Sequence, residues 1–223
     1  MDGRDEFYDK NYKKLLNEGL IGFVGGLVHR NMEPSTLREN HLNNVLELGA
    51  GQGQHLNYVN HSFDTYHETD IRVSNLPKRD KSEFNLIQEA IDAQDLPYSN
   101  SFFDRVIATC LLAHLDFPEK SLNECKRVTK NNGLITIYVP CEPGLLLRAA
   151  RYISTVQKSK KLGVDHLSIH YREHRNYFIS LNLLIMEVFY DCKISRKFWP
   201  LIVPSWNLNF GVVYQIKVNK QGD

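Results

Sequence analysis

The run Val45-Leu46-Glu47-Leu48-Gly49-Ala50-Gly51-Gln52-Gly53 constrains the fold of this chain more than any other stretch. It reads as a short buried strand entering a glycine-rich turn, with a carboxylate two residues before the first glycine. Glycine lets the backbone turn tightly and lets a ligand approach the main chain. A loop built for a pyrophosphate needs amide donors and no negative charge beside them. Glu47 therefore points away from phosphate ligands and toward a ligand with a positive amino group. The spacing agrees. A dinucleotide fingerprint places its third glycine three residues after the second, whereas here the gap is two.

Length and charge narrow the classes. With 223 residues, 42% of them hydrophobic, the chain suits one domain with a substantial core. Lysine plus arginine (27) nearly cancels aspartate plus glutamate (26), which argues against a general polyanion binder. Cys110, Cys125, Cys141 and Cys192 form no C-x-x-C pair, so neither a zinc knuckle nor a dithiol site is suggested. The charged N-terminus (Asp2, Arg4, Asp5, Glu6) lacks the apolar core of a leader, and Leu20 to Val28 is too short to span a bilayer. The expectation is a soluble cytoplasmic protein with no membrane partner.

Along the chain, Tyr8 to Val28 reads as helix with a break at Gly25-Gly26, and His29 to Asn44 as a connector. Strands are expected at Val45–Leu48, Thr65–Thr69, Asn85–Ala90, Arg105–Cys110 and Leu134–Val139. Helices are expected at Gln52–Val59 and Pro118–Thr129, with a turn at Asn131-Asn132-Gly133. Beyond Pro140, Leu145–Val156 and Arg175–Met186 read as helices, and Glu187–Ile194 and Gly211–Val218 as the last strands. Strands alternating with helices indicate a mostly parallel sheet covered on both faces. No linker separates a second domain. Within residues 1–223, the pattern divides into an N-terminal helical part, 1–40, an alternating core, 44–140, a helical segment, 141–185, and the terminal strands, 186–223.

Open α/β sheets bind ligands at the carboxyl ends of their strands. Four features fall there in order: the Glu47 turn; Asp70, suited to a pair of ribose hydroxyls; Asp92-Ala93, suited to an adenine amine and ring nitrogen; and the stretch from Thr109 to His114. With these residues stand Leu96-Pro97-Tyr98-Ser99-Asn100-Ser101-Phe102-Phe103-Asp104, Ala113-His114-Leu115 and Glu124-Cys125-Lys126-Arg127-Val128. In that order they resemble the class I S-adenosylmethionine-dependent methyltransferases, of the group that includes small-molecule enzymes of ubiquinone-type biosynthesis. The resemblance covers roughly 44–140. It departs from the family at Ile91, where a glycine is frequent. It implies a Rossmann-like seven-stranded, mostly parallel sheet with helices on both faces and an antiparallel last strand. It implies too that the four parts of the chain are a cap, the cofactor-binding core, the substrate-specific segment and the end of the sheet. It also implies S-adenosyl-L-methionine bound by Glu47, Gly49, Ala50, Gly51, Gly53, Asp70, Ile71, Asp92, Ala93, Gln94 and Cys110. Such a ligand carries an ammonium and a sulfonium and no phosphate, as the Glu47 turn requires.

Methyl transfer from a sulfonium needs alignment above all, and a base only where the acceptor must lose a proton. His114 stands where a base would reach the acceptor, and His170 is a second candidate. The segment Asp165 to Arg175 is the most individual part of the chain. If helical, His166, His170 and His174 share a face at i, i+4 and i+8. A solvated polar segment, a clamp for an anionic acceptor and a chelated metal all fit that pattern. Of these, no metal is expected. Tyr8, Tyr12, His166, His170, Arg172, His174 and Arg175 are the candidate acceptor contacts. From Arg148 to Arg175 there are seven lysines and arginines against two acids, which favours an anionic small-molecule acceptor. Oxygen, with nitrogen as the second choice, is the expected site of methylation, on a phosphate-bearing or sugar-derived intermediate such as one of surface-polysaccharide synthesis. An RNA or protein methyltransferase and a non-catalytic cofactor-binding module are the alternatives. Nucleic acid is not an expected partner, because no binding domain is appended.

Overall fold

The computed structural model describes residues 19–72, 76–79, 85–156 and 173–220. Seven strands build one sheet: β1 (His41–Leu48), β2 (Ser62–Asp70), β3 (Leu86–Ala90), β4 (Phe103–Thr109), β5 (Thr129–Pro140), β6 (Lys193–Trp199) and β7 (Gly211–Lys217). Their spatial order is β3-β2-β1-β4-β5-β7-β6. Strand β7 runs antiparallel to both β5 and β6, and every other pairing is parallel. This is the Rossmann-like arrangement expected. The order reverses between β1 and β4, which opens a crevice at the carboxyl ends of those two strands.

Four α-helices are described: α1 (Gly19–Met32), α2 (Pro118–Val128), α3 (Leu145–Arg151) and α4 (Phe178–Val188). Central strands covered on both faces lose the polar alternation of a half-exposed strand. Val45 to Leu48 and Arg105 to Ala108 are accordingly buried without a break. On one face Leu46, Leu48 and Val106 pack with Leu122 and Cys125 of α2 and with Leu181 and Ile185 of α4. On the other, Val45, Tyr66 and Ile107 pack with Val28 and Met32 of α1. Among the described residues no helix is long and apolar enough to cross a membrane.

Several elements differ from the sequence reading. The helix expected at Gln52–Val59 is a single 3-10 turn, His55–Tyr58. Gly49, Gly51 and Gly53 have φ of 63, 54 and 61°, so no helix can start before Gln54, and Val59 already turns away at ψ 126°. Of the expected strand Glu187–Ile194, only Lys193 and Ile194 are in one. Leu181, Ile185 and Phe189 are buried at helical spacing, carrying α4 to Val188, and β6 starts only at Lys193. Gly25-Gly26 does not break α1. The Asn131-Gly133 turn survives as a bulge inside β5, where the pairing with β4 jumps from Thr129 to Leu134. The helix from Leu145 changes to a π stretch at Tyr152–Val156, and the one expected from Arg175 starts at Phe178.

A buried polar strap fastens α1 to the sheet. Arg105 of β4 is fully buried. Its Nη2 and Nη1 donate to Glu33 Oε1 at 2.7 Å and Oε2 at 3.0 Å. Glu33 Oε1 also faces His55 Nε2 at 2.9 Å, just past the glycine turn. His55 Nδ1 meets His29 Nδ1 of α1 at 3.1 Å, and Arg105 Nη1 meets His61 Nε2 at 2.9 Å. One carboxylate thus joins the helix end, the central sheet and the exit of the turn.

The strap makes stability depend on pH. Burial, with His55 beside it, pushes His29 from 6.5 down to about 4, and burial also lowers His55 and His61. Burial opposes ionisation of Glu33, but hydrogen bonds from His55 and Arg105 outweigh it and hold the carboxyl at about 2. All four folded values lie below the unfolded ones. Their stabilisation is therefore complete above pH 6.5 and is lost as pH falls toward 4 and then 2. The imidazoles outnumber Glu47, which titrates in the opposite sense. Equilibrium urea unfolding is expected to show stability dropping between pH 6.5 and 4; equal stability across that range would mean that these rings are not held neutral.

Candidate active site

The glycine turn is fixed from two sides. Ala50 N donates to Thr69 O at 2.9 Å, and Gly51 N donates to Asp70 Oδ2 at 3.1 Å. A Cβ on Gly49 would stand 2.7 Å from Leu111 Cδ1, so the turn lies directly against the loop after β4. Among the described residues nothing lies within 4 Å of a Cβ position on Gly51, which leaves that backbone open to a ligand. Beneath the turn sits Glu47, 2% exposed. It accepts a hydrogen bond from Tyr66 Oη at 2.6 Å. Burial pushes its carboxyl up to about 8 against the pull of that hydrogen bond, and the nearby Glu68 adds to the rise. Glu68 is Glu47's register partner on β2 and is fully buried. Gln88 Nε2 donates to its Oε2 at 2.6 Å, and Arg79 Nε approaches its Oε1 at 3.5 Å. Two carboxyls thus stand side by side under the turn, one of them already facing Arg79.

The other expected ligand contacts gather on the same edge. Asp70 accepts from Arg72 N as well as from Gly51, and Ile71 beside it is 67% exposed. Ile91 N donates to Asp70 O, joining the ends of β2 and β3. Asp92 is exposed and accepts from Gln94 N at 2.9 Å, while Ala93 is buried. Gln94 Oε1 accepts from Phe117 N at 2.8 Å, bringing this loop against the one that carries His114. Cys110 takes a left-handed φ of 58°. Burial, then Glu142, pushes its thiol up to about 12, so it is no nucleophile.

A second cluster occupies the carboxyl ends of β4 and β5. The His114 and His174 rings meet edge to face with centroids 4.4 Å apart. His174 Nδ1 lies 2.7 Å from Glu142 Oε2, and Glu142 Oε1 pairs with Arg151 of α3. The buried carboxylate places the His174 proton on Nδ1. Although the His114 residue reaches solvent, burial around its ring and the neighbouring His174 bring it down to about 4. It also hydrogen-bonds the Glu173 backbone, which leaves the other ring nitrogen as an acceptor. Arg175 N donates to Ala113 O at 2.8 Å, while the Arg175 side chain pairs with Asp116 at the surface. Tyr8, Tyr12, His166, His170 and Arg172 lie outside the described residues.

Tyr66, Glu68, Arg79, Glu142 and Arg151 were not among the sequence candidates. Glu142 had a readable signal, being an acid two residues past the end of β5 on the ligand edge. Tyr66 and Glu68 look like ordinary strand residues until the register with β1 sets them beside Glu47.

Residues 46–137 match the family described as "Methyltransferase domain". No curated protein matches the chain. Among solved structures, N-methyltransferase NodS from Bradyrhizobium japonicum, in complex with S-adenosyl-l-homocysteine, superposes with a TM-score of 0.65 at 10% identity, covering 98% of this chain and 97% of that one. A chain of the Haloferax volcanii complex containing the Trm112 methyltransferase activator gives 0.65 at 12% identity, with 99% of each chain covered. A SAM-dependent methyltransferase from Thermotoga maritima gives 0.57 at 17%, covering 97% and 99%. At such identities the structural likeness speaks for the fold alone.

The glycines offer a direct check on the turn. Gly51 and Gly53 share left-handed φ values, so alanine strains both backbones equally. Only at Gly53 would the new Cβ also collide with Glu68 Oε1 and approach Pro77 Cγ to 2.8 Å. Urea titration is expected to find Gly53→Ala less stable than Gly51→Ala by at least about 1 kcal/mol; equal losses would mean that Glu68 does not lie under the turn.

Proposed function

Because residues 46–137 match the methyltransferase-domain family, we propose that this chain is an S-adenosylmethionine-dependent methyltransferase that moves the cofactor's methyl group to a hydroxyl oxygen of a small molecule, with His114 accepting the proton. The residues present fit the cofactor. Glu68, and Glu47 once an ammonium lets it ionise, supply negative charge for a cationic amino-acid end, Gly51 supplies open backbone, and Asp70 and Asp92 stand where ribose and adenine donors would need acceptors. When bound, the cofactor supplies an electrophilic methyl and a leaving group that needs no protonation. The rest falls to side chains. They hold the acceptor in line and take its proton.

The observation that carries this reading is the His114–His174–Glu142 cluster at the mouth of the crevice. At neutral pH His114 is uncharged and can accept a proton. Glu142 and Glu173 favour the positive charge that would grow on it, but burial and His174 oppose it and prevail, so the ring is a weak base that stands neutral and ready to accept. His174, oriented by Glu142, braces the ring edge-on. The anionic character of the acceptor rests on the excess of basic residues from Arg148 to Arg175. Two of these are already engaged, Arg151 by Glu142 and Arg175 by Asp116. An acidic group on the acceptor would therefore be met by the remaining basic residues of the segment.

A panel of sugar phosphates, hydroxy acids, phenols, neutral quinols and amines, assayed with methyl-labelled cofactor, tests the proposal. Transfer to a hydroxyl is expected. His114→Ala should lower kcat by about 10²–10⁴-fold with little change in cofactor affinity. Transfer restricted to amines, at a rate that His114→Ala leaves intact, would remove the assignment.

A further inference from the structure

Helices that cover a sheet turn an apolar stripe inward and a polar face to water. Helix α2 does so: its exposed residues, Glu119, Lys120 and Asn123, are all polar. Helix α4 lies beside it on the same face of the sheet and departs from the rule. Inward it buries Phe178, Leu181 and Ile185. Outward it presents Ile179, Leu183, Met186 and, just past its end, Tyr190, exposed by 52%, 63%, 38% and 83%. Spaced i, i+4, i+7 and i+11, they form a second apolar stripe along the helix.

The stripe is held rigidly. At the start of α4, Phe178 N donates to Glu142 O at 3.0 Å. In its middle, Asn182 Oδ1 accepts from Tyr214 Oη at 2.8 Å and from Arg196 Nη1 at 3.2 Å. At its end, Lys126 Nζ donates to Val188 O at 3.0 Å. Little ordering entropy would be lost when something docks there. At these exposures the four side chains offer on the order of 500 Å² of surface. Two such faces together reach on the order of the 1,000 Å² that a specific contact needs.

The chemistry of the face selects its occupant. Residues 178–188 hold one charge, Glu187, and no lysine or arginine. A bilayer surface or a nucleic acid calls for basic residues along the helix, and α4 has none. A second copy brings no like charge onto the stripe. We propose that α4 is the contact between two copies of this chain, packed antiparallel about a two-fold axis. In that arrangement the stripe is self-complementary. Leu183 falls level with the partner's Met186 and Ile179 with the partner's Tyr190, because both pairs share one midpoint on the helix. Glu187 stands at the margin, on the flank nearest the partner's Ser180, and stays in water. Helix α4 runs from the ligand edge, where Phe178 meets Glu142, to the opposite edge, where Val188 meets Lys126. The two crevices therefore open at opposite ends of the pair, and neither blocks the other. The contact does not rest on the proposed chemistry.

Analytical ultracentrifugation of the full chain tests the proposal. A concentration-dependent dimer is expected, with a dissociation constant on the order of micromolar. Leu183→Glu should weaken it at least about tenfold, whereas Lys120→Glu on α2 should leave it unchanged. Ile179→Cys and Tyr190→Cys chains, mixed under mild oxidation, should form an intermolecular disulfide that neither forms alone. The proposal is overturned if the wild-type chain stays monomeric up to about 100 μM, as it would if another part of the same chain covered the stripe. It is equally overturned if Leu183→Glu, folded by far-ultraviolet circular dichroism, dimerises as well as wild type, or if each cysteine variant links to itself and not to the other. Should Leu183→Glu fail to fold, the cross-linking decides alone. A dimer that binds no adenosylhomocysteine would sink the methyltransferase reading and leave the contact standing.

Discussion

A carboxyl group buried at the carboxyl end of the central strand governs this structure. Glu47 sits under a turn that three left-handed glycines hold open, with Glu68 beside it and Tyr66 as its described hydrogen-bond donor. Burying such a group is costly unless a partner compensates. Without ligand it largely keeps its proton, its carboxyl being pushed up to about 8. An arriving ammonium would let it ionise. A phosphate would gain nothing there, which is why the same glycines that open many nucleotide sites here serve a phosphate-free ligand.

The turn is also tied to the rest of the molecule. His55 follows it directly and reaches Glu33 at the end of α1, and Glu33 grips Arg105 in the middle of β4. Removing one member of a buried ion pair strands the other, so the helix, the sheet and the turn stand or fall together. In place of the helix that the sequence suggests after the turn, one 3-10 turn suffices because His55 and Leu56 are already buried against this strap. The ligand edge is thereby built from loops braced by side chains rather than from a helix end.

Much of this was legible beforehand. The apolar run with its carboxylate and glycines marked β1 and the turn, Asp70 and Asp92 fell at strand ends, and the alternation of elements pointed to the parallel sheet. What escaped was whatever depends on contacts distant in sequence. Glu187 to Ile194 carries strand-forming residues, yet the burial of Leu181, Ile185 and Phe189 on one helical stripe overrode that propensity. The pairing of Tyr66 with Glu47 follows from strand register, which one chain read alone does not reveal. Glu142 stood at a strand end like Asp70, but only the fold brings His174 and Arg151 to it across a long excursion of chain.

Calorimetric titration with adenosylhomocysteine near pH 7, in two buffers of different ionisation heat, tests the central claim most directly. The account predicts binding with release of a proton, as Glu47 gives up the one that it holds at about 8. Glu47→Gln should bind more weakly and release none. Tight binding of a nicotinamide dinucleotide, with no binding of adenosylhomocysteine, would contradict it.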